Sequence, residues 1–153
     1  MVVGWEFDYG WGEGFLKEFA TWTIMAKPAS PHIWTVIEDI LGDIRKLVQE
    51  RNVTVGELKM NMVGDVVDFT GPRRFTNGIL KSLGSMYNAT LDDIKDLMEP
   101  KLAGDVLVLP GHAFARTSNK YAEGMVVPPS LVTHHYAGSW KNDHGGESET
   151  AQR

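Results

Sequence analysis

The sequence predicts an α/β chain in which a short sheet carries packed helices. Three observations lead there. Residues 2–7 and 105–110 are compact apolar runs of strand type, the second closed by Pro110. Between them, Ile33, Trp34, Ile37, Ile40, Leu41, Ile44, Leu47 and Val48 recur at helical spacing, with Glu38, Asp39, Asp43, Arg45 and Lys46 filling the other face. Strands alternating with helices favour an α/β arrangement.

Taken in order, the first strand runs into a Gly/aromatic loop at residues 8–14, and a moderately apolar helix is expected over residues 15–26. Lys27-Pro28-Ala29-Ser30-Pro31 is a turn that places Ser30 as N-cap and Pro31 at the first helical position. The amphipathic helix that follows is the clearest element, and its stripe reads as core. Residues 65–69 are expected to be extended. Thr70-Gly71-Pro72 opens a helix carrying Phe75, Ile79, Leu80 and Leu83, and a shorter helix over residues 91–98 is stopped by Pro100. A second late strand is expected over residues 131–136, after the Pro128-Pro129 breaker. Thr54 with Glu57, and Thr90 with Asp93, have capping-box spacing. That accounts for the threonines of two glycosylation-type triplets, Asn52-Val53-Thr54 and Asn88-Ala89-Thr90.

Composition narrows the function. With 42% hydrophobic residues, 153 residues suffice for one domain with a real core. A net charge of −5 without basic runs argues against a nucleic-acid partner, since phosphate neutralisation needs clustered cations. No segment is long and apolar enough to span a bilayer. The absence of cysteine excludes thiol catalysis. A zinc hydrolase built on His112, His134, His135 and His144 is disfavoured, because no zincin spacing occurs.

The run that carries chemistry is Thr133-His134-His135-Tyr136-Ala137-Gly138-Ser139-Trp140-Lys141. On a strand, neighbouring side chains point to opposite faces, so only one of the two histidines should face a site. A neutral imidazole suits a divalent ion, although carboxylates normally complete such a site. Gly138 lets the backbone approach a ligand, Ser139 and Trp140 offer neutral donors, and Lys141 offers a compact cation. Together they suit a diphosphate leaving group, while core packing of Trp140 and ordinary surface histidines remain the plainer alternative.

The same run resembles the carboxyl-terminal signature of glycosyltransferase family 32, which includes fungal initiation-type α-1,6-mannosyltransferases. Three further stretches agree in order: Trp22-Thr23-Ile24-Met25-Ala26-Lys27-Pro28 with Ser30-Pro31, Thr70-Gly71-Pro72-Arg73-Arg74-Phe75-Thr76, and Val106-Leu107-Val108-Leu109-Pro110 with Phe114. The resemblance implies the C-terminal half of a GT-A type nucleotide-diphospho-sugar transferase fold over residues 1–141, followed by a polar tail over residues 142–153. It implies retaining transfer of a hexose, mannose from GDP-mannose, to a glycan acceptor. Mn²⁺ would be held by an upstream Asp-x-Asp motif and a late ligand, here His135, which with Tyr136, Gly138 and Lys141 also matches a pattern of glycogenin-like transferases. Gly138, Ser139, Trp140 and Lys141 would then bind the donor diphosphate, and Thr70, Gly71 and Arg73 would border the cleft.

In the family, Asp-x-Asp lies upstream of the strand that Val2-Val3-Gly4-Trp5-Glu6 resembles, and Glu6-Phe7-Asp8 is read as a mimic of its spacing. The chain is therefore expected to be a truncated half without activity of its own. Its whole relatives are membrane-anchored enzymes of the Golgi and secretory pathway, whereas this chain shows no targeting segment. The alternative in a different class is a non-catalytic paralogue or partner subunit that keeps the late motif alone.

Overall fold

A computed structural model describes residues 1–135. Its sheet has four strands, β1 (Val2–Phe7), β2 (Glu18–Phe19), β3 (Lys101–Ala103) and β4 (Val106–Leu109), in the order β2-β1-β4-β3. β1 runs parallel to β4, with Val3 opposite Val108, and the two outer pairings are antiparallel. The long connection between β1 and β4 is helical, as a parallel pairing requires.

That connection contains α1 (Pro31–Arg51), α2 (Val66–Phe69), α3 (Pro72–Tyr87) and α4 (Leu91–Ile94). Proline stands at the first position of both long helices, where no N–H is needed. Both end on an asparagine in the left-handed region, Asn52 (φ 51°) and Asn88 (φ 54°). Each glycosylation-type triplet thus begins at a helix C-cap and ends in a capping box, in which the Thr54 and Thr90 amides donate to Glu57 and Asp93 at 2.8 Å.

The helices bury one face of the sheet. Val3, Trp5, Phe19, Phe75, Ile79, Leu83, Ile94, Val106 and Val108 form this main core with Val36. Glycine at position 78 lets α3 approach α1, since a Cβ there would stand 2.6 Å from a Val36 methyl. On the opposite face, α5 (Gly111–Ala115) packs Ala113 and Phe114 against Ala20 and Leu109.

Four local expectations are corrected. Residues 15–26 form no helix: Glu18–Phe19 pairs with β1, and Met25 exchanges two backbone hydrogen bonds with Val2. The open edge of β1 captures this segment, whose Thr21, Thr23 and Ile24 are poor helix formers. Residues 65–69 are not extended, because the Asp65 carboxylate accepts from the Val67 amide and nucleates α2. α4 stops at Ile94 rather than residue 98: Ile94 O accepts from the Trp5 indole, while the Asp96 and Leu97 amides turn to the Asp8 carboxylate. Over residues 131–135 the backbone is irregular, with both the Leu131 and Val132 amides donating to Ala113 O instead of entering a ladder.

Candidate functional site

The most constrained region is the end of β1. Phe7 lies opposite Glu18 and Trp5 opposite Phe19, so two steps on β1 match one on β2. That is a β-bulge with Glu6 as the extra residue, a device that re-aims side chains and concentrates near active sites. Asn119 holds it from the side. Its Oδ1 accepts from the Asp8 and Tyr9 amides at 2.8 Å, and its Nδ2 donates to Glu6 O and Ala115 O at 2.9 Å.

Three carboxylates meet there in different states. Asp8 is fully buried and accepts from Lys17 Nζ (2.9 Å), the Asp96 amide (2.7 Å) and the Leu97 amide (3.0 Å). Glu18 accepts from Arg73 Nε at 2.8 Å, and Arg73 also reaches Asp68 at 3.2 Å. Glu6 is only 8% exposed, and no described residue donates to its carboxylate. Burial, reinforced by the charge of Glu18, pushes it up to about 7. The spacing of Glu6 and Asp8 is therefore not that of a working metal pair, since Asp8 is consumed by the fold.

The residues proposed to border a cleft come partly to this place. Arg73, in the first turn of α3, reaches over to Glu18 on β2. Gly71 is the N-cap, pressed so closely on α2 that a Cβ would stand 2.7 Å from Val67 Cα. Thr70 is the exposed C-cap of α2. With its charge shared among Glu18, Asp65 and Asp68, Arg73 organises carboxylates rather than standing open to an anion.

Of the histidine pair, His134 is half-buried and stacks on Trp22, ring centroids 4.1 Å apart. Burial holds its imidazole below the ordinary histidine range. His135 is exposed. Gly138, Ser139, Trp140 and Lys141 lie outside the described residues. A small cleft beside His134 is lined by Arg116, Thr117, Ser130 and Thr133. Nearby on α5, His112 is 6% exposed, and among the described residues its Nδ1 has no hydrogen-bond partner.

Among the described residues no three histidine or acidic side chains are arranged to hold a metal ion. The described set thus does not make an Mn²⁺ site by itself. A larger apolar groove of about 370 Å³, lined by Ala26, Lys27, Ile33, Trp34 and Ile37, contains none of the candidate residues. Glu18, Lys17 and Asn119 carried no role in the sequence reading, and Trp22 entered it only as part of a motif of resemblance. Glu18 and Asn119 find partners 55 and 113 residues away, in Arg73 and Glu6, so no local motif announces them.

Comparison with known proteins identifies two fungal relatives. The initiation-specific α-1,6-mannosyltransferase of Schizosaccharomyces pombe is 32% identical over 151 residues, which cover 94% of this chain and 36% of the relative. The protein of the same name from Candida albicans is 31% identical over 169 aligned positions, 97% of this chain and 44% of the relative. The chain spans less than half the length of these curated relatives. No protein-family profile matches it, and no solved structure does. The resemblance to fungal initiation-type mannosyltransferases thus extends over nearly the whole chain.

Proposed function

We propose that this chain, homologous along almost its full length to part of the fungal initiation-specific α-1,6-mannosyltransferases, forms the acceptor-side and donor-closing portion of a mannosyltransferase site. The carrying observation is the identity of 31–32% sustained over 94–97% of the chain. The reaction is retaining transfer of mannose from GDP-mannose to a glycan, on a GT-A type fold, in the Golgi or secretory pathway. No described helix is long and apolar enough to cross a membrane.

In this reading Ser139 and Trp140 donate hydrogen bonds to the donor diphosphate, Gly138 lets the backbone approach it, and Lys141 offsets the charge that develops as the nucleotide leaves. Mn²⁺ is the proposed cofactor, with His135 as one ligand and its other ligands outside the described residues. His134 is stacked on Trp22 and borders the small cleft, which leaves His135, exposed, as the imidazole not engaged in packing. Packed on an indole, His134 has a positioning role for the segment that follows.

A chimera tests this. In the Schizosaccharomyces pombe relative, the homologous segment is replaced by this chain, and mannosyl transfer from GDP-mannose to an α-mannoside is measured. Transfer is expected to persist, to be abolished by His135→Ala, and to fall less with His134→Ala. A folded but inactive chimera would count against the enzyme and favour a non-catalytic binding subunit.

A further inference from the structure

Both long helices end in the same way. The residue that turns left-handed at a helix C-terminus is most often glycine; here it is Asn52 after α1 (φ 51°) and Asn88 after α3 (φ 54°). In each case the cap is made by the backbone, Asn52 N–H donating to Gln49 O and Val48 O, and Asn88 N–H to Gly84 O and Leu83 O. Both asparagines are exposed, and among the described residues neither side-chain amide has a partner. Each is followed two positions later by an exposed threonine, Thr54 and Thr90. The left-handed turn is met by asparagine or glycine, and the capping box by threonine or serine. Neither explains why the two stand as Asn-x-Thr at both helix ends.

The surroundings suit a bulky hydrophilic group. α1 and α3 run antiparallel: His32 in the first turn of α1 meets Ser82 towards the end of α3 at 2.9 Å, while Asp43, further along α1, meets Arg74 in the first turn of α3. Asn52 and Asn88 therefore stand at opposite ends of the helical layer. That layer covers one face of the sheet, whereas α5, Trp22 and His134 lie on the other. A group carried by either asparagine thus leaves the His134 side open. Exposed apolar side chains flank both positions along the chain, Val55 and Met60 after Asn52, and Met86 and Tyr87 before Asn88, each 42–66% exposed. An asparagine-linked glycan is a bulky, solubilising surface group. Placed at these two positions, it would shield apolar area that the described fold leaves bare.

We infer that Asn52 and Asn88 are acceptors of N-linked oligosaccharide. The assignment rests on the secretory-pathway part of the reading above and adds a covalent modification to it. In the transfer, Nδ2 forms a bond to C1 of the first sugar of a lipid-diphosphate-linked oligosaccharide, which the secretory pathway supplies. The bond from C1 to the diphosphate breaks, its electron pair stays with the phosphate oxygen, and Nδ2 gives up one proton. In the folded chain the Thr54 and Thr90 hydroxyls donate to Glu57 and Asp93 at 2.8 Å. A hydroxyl has a single proton to donate, so the transferring enzyme reads each triplet before its capping box closes. Modification belongs to the emerging chain, and the finished fold keeps both glycans outside.

The test directs the full 153-residue chain into the secretory pathway of a fungal host on a cleavable leader. Secreted and cell-retained chain are deglycosylated enzymatically in heavy-oxygen water, which labels each formerly occupied asparagine for mass spectrometry. Both positions are expected to be occupied, with one step of gel mobility lost in Asn52→Gly and another in Asn88→Gly. Glycine keeps the left-handed cap, so both variants made in bacteria should unfold at the same denaturant concentration as bacterial wild type. Thr54→Ser and Thr90→Ser keep the hydroxyl and should keep the glycan. An unmodified asparagine at either position overturns the assignment there and reduces that residue to a helix cap. A glycosylated chain that no longer unfolds cooperatively overturns it too, since the fold then does not accommodate the group. If both positions are occupied and the chimera is inactive, only the mannosyl-transfer reading falls. If the chimera transfers mannose and neither asparagine is modified, only the glycan assignment falls.

Discussion

Replacing Asn119 should be among the most damaging single changes in the chain. Its side chain makes four hydrogen bonds of 2.8–2.9 Å to backbone groups of Glu6, Asp8, Tyr9 and Ala115, and the residue is 8% exposed. A neutral hydrogen bond contributes about 1 kcal/mol net, and a group left buried without a partner costs about 1–3 kcal/mol. Asn119→Ala strands two amides and two carbonyls at once. Water admitted to the gap would satisfy some of them, so the expected loss is roughly 3–5 kcal/mol. Asn119→Asp separates hydrogen bonding from shape. It keeps the acceptor for the two amides but turns a second oxygen towards two carbonyl oxygens. At neutral pH it should cost at least as much as alanine, and part of the loss should return on acidification, when the carboxyl can donate to one carbonyl. Urea unfolding at pH 7 and at pH 5 measures both. A loss below about 1 kcal/mol for Asn119→Ala, or wild-type stability for Asn119→Asp at pH 7, would refute the clamp.

Further outcomes follow from the same region. Glu6 is raised from 4.5 to about 7, so the folded state holds its proton more tightly than the unfolded chain does. Its contribution is full below pH 4.5 and is lost as pH rises through 7. Relative to wild type, Glu6→Gln should therefore gain stability across that window; a pH-independent difference would contradict this. Gly4→Ala would bring a Cβ within 2.2 Å of the buried Phe114 ring and should cost about 1–3 kcal/mol, read as a lowered Tm that Phe114→Leu partly restores. Thr76 Oγ1 accepts from the Phe19 amide and donates to Pro72 O, both at 2.8 Å. Thr76→Val should cost about 1–3 kcal/mol and sharply raise hydrogen exchange at the Phe19 amide.

What the sequence determined by itself is what depends on short-range physics. The stripe from Ile33 to Val48 becomes α1, Thr70-Gly71-Pro72 becomes the start of α3, and the apolar runs at residues 2–7 and 106–109 become the paired parallel strands at the centre of the sheet. The capping boxes at Thr54 and Thr90 form as spaced. Resemblance to mannosyltransferases was also legible, because it rests on the order of short motifs and not on contacts between them. Tertiary structure decided the rest. Within residues 15–26, Glu18–Phe19 and Met25 became sheet edge because β1 offered unpaired backbone groups that a lone helix could not satisfy. Residues 95–98 left the helix because the buried Asp8 carboxylate takes the amides of Asp96 and Leu97. Glu6, read from its spacing as an imitation of a metal pair, was separated from Asp8 by partners some 90 to 110 residues away. Two carboxylates two positions apart look alike in a sequence. Their roles diverge only when folding gives one three donors and sets the other, with none among the described residues, beside the charge of Glu18, because proton affinity and reactivity are set by what surrounds a charge in space.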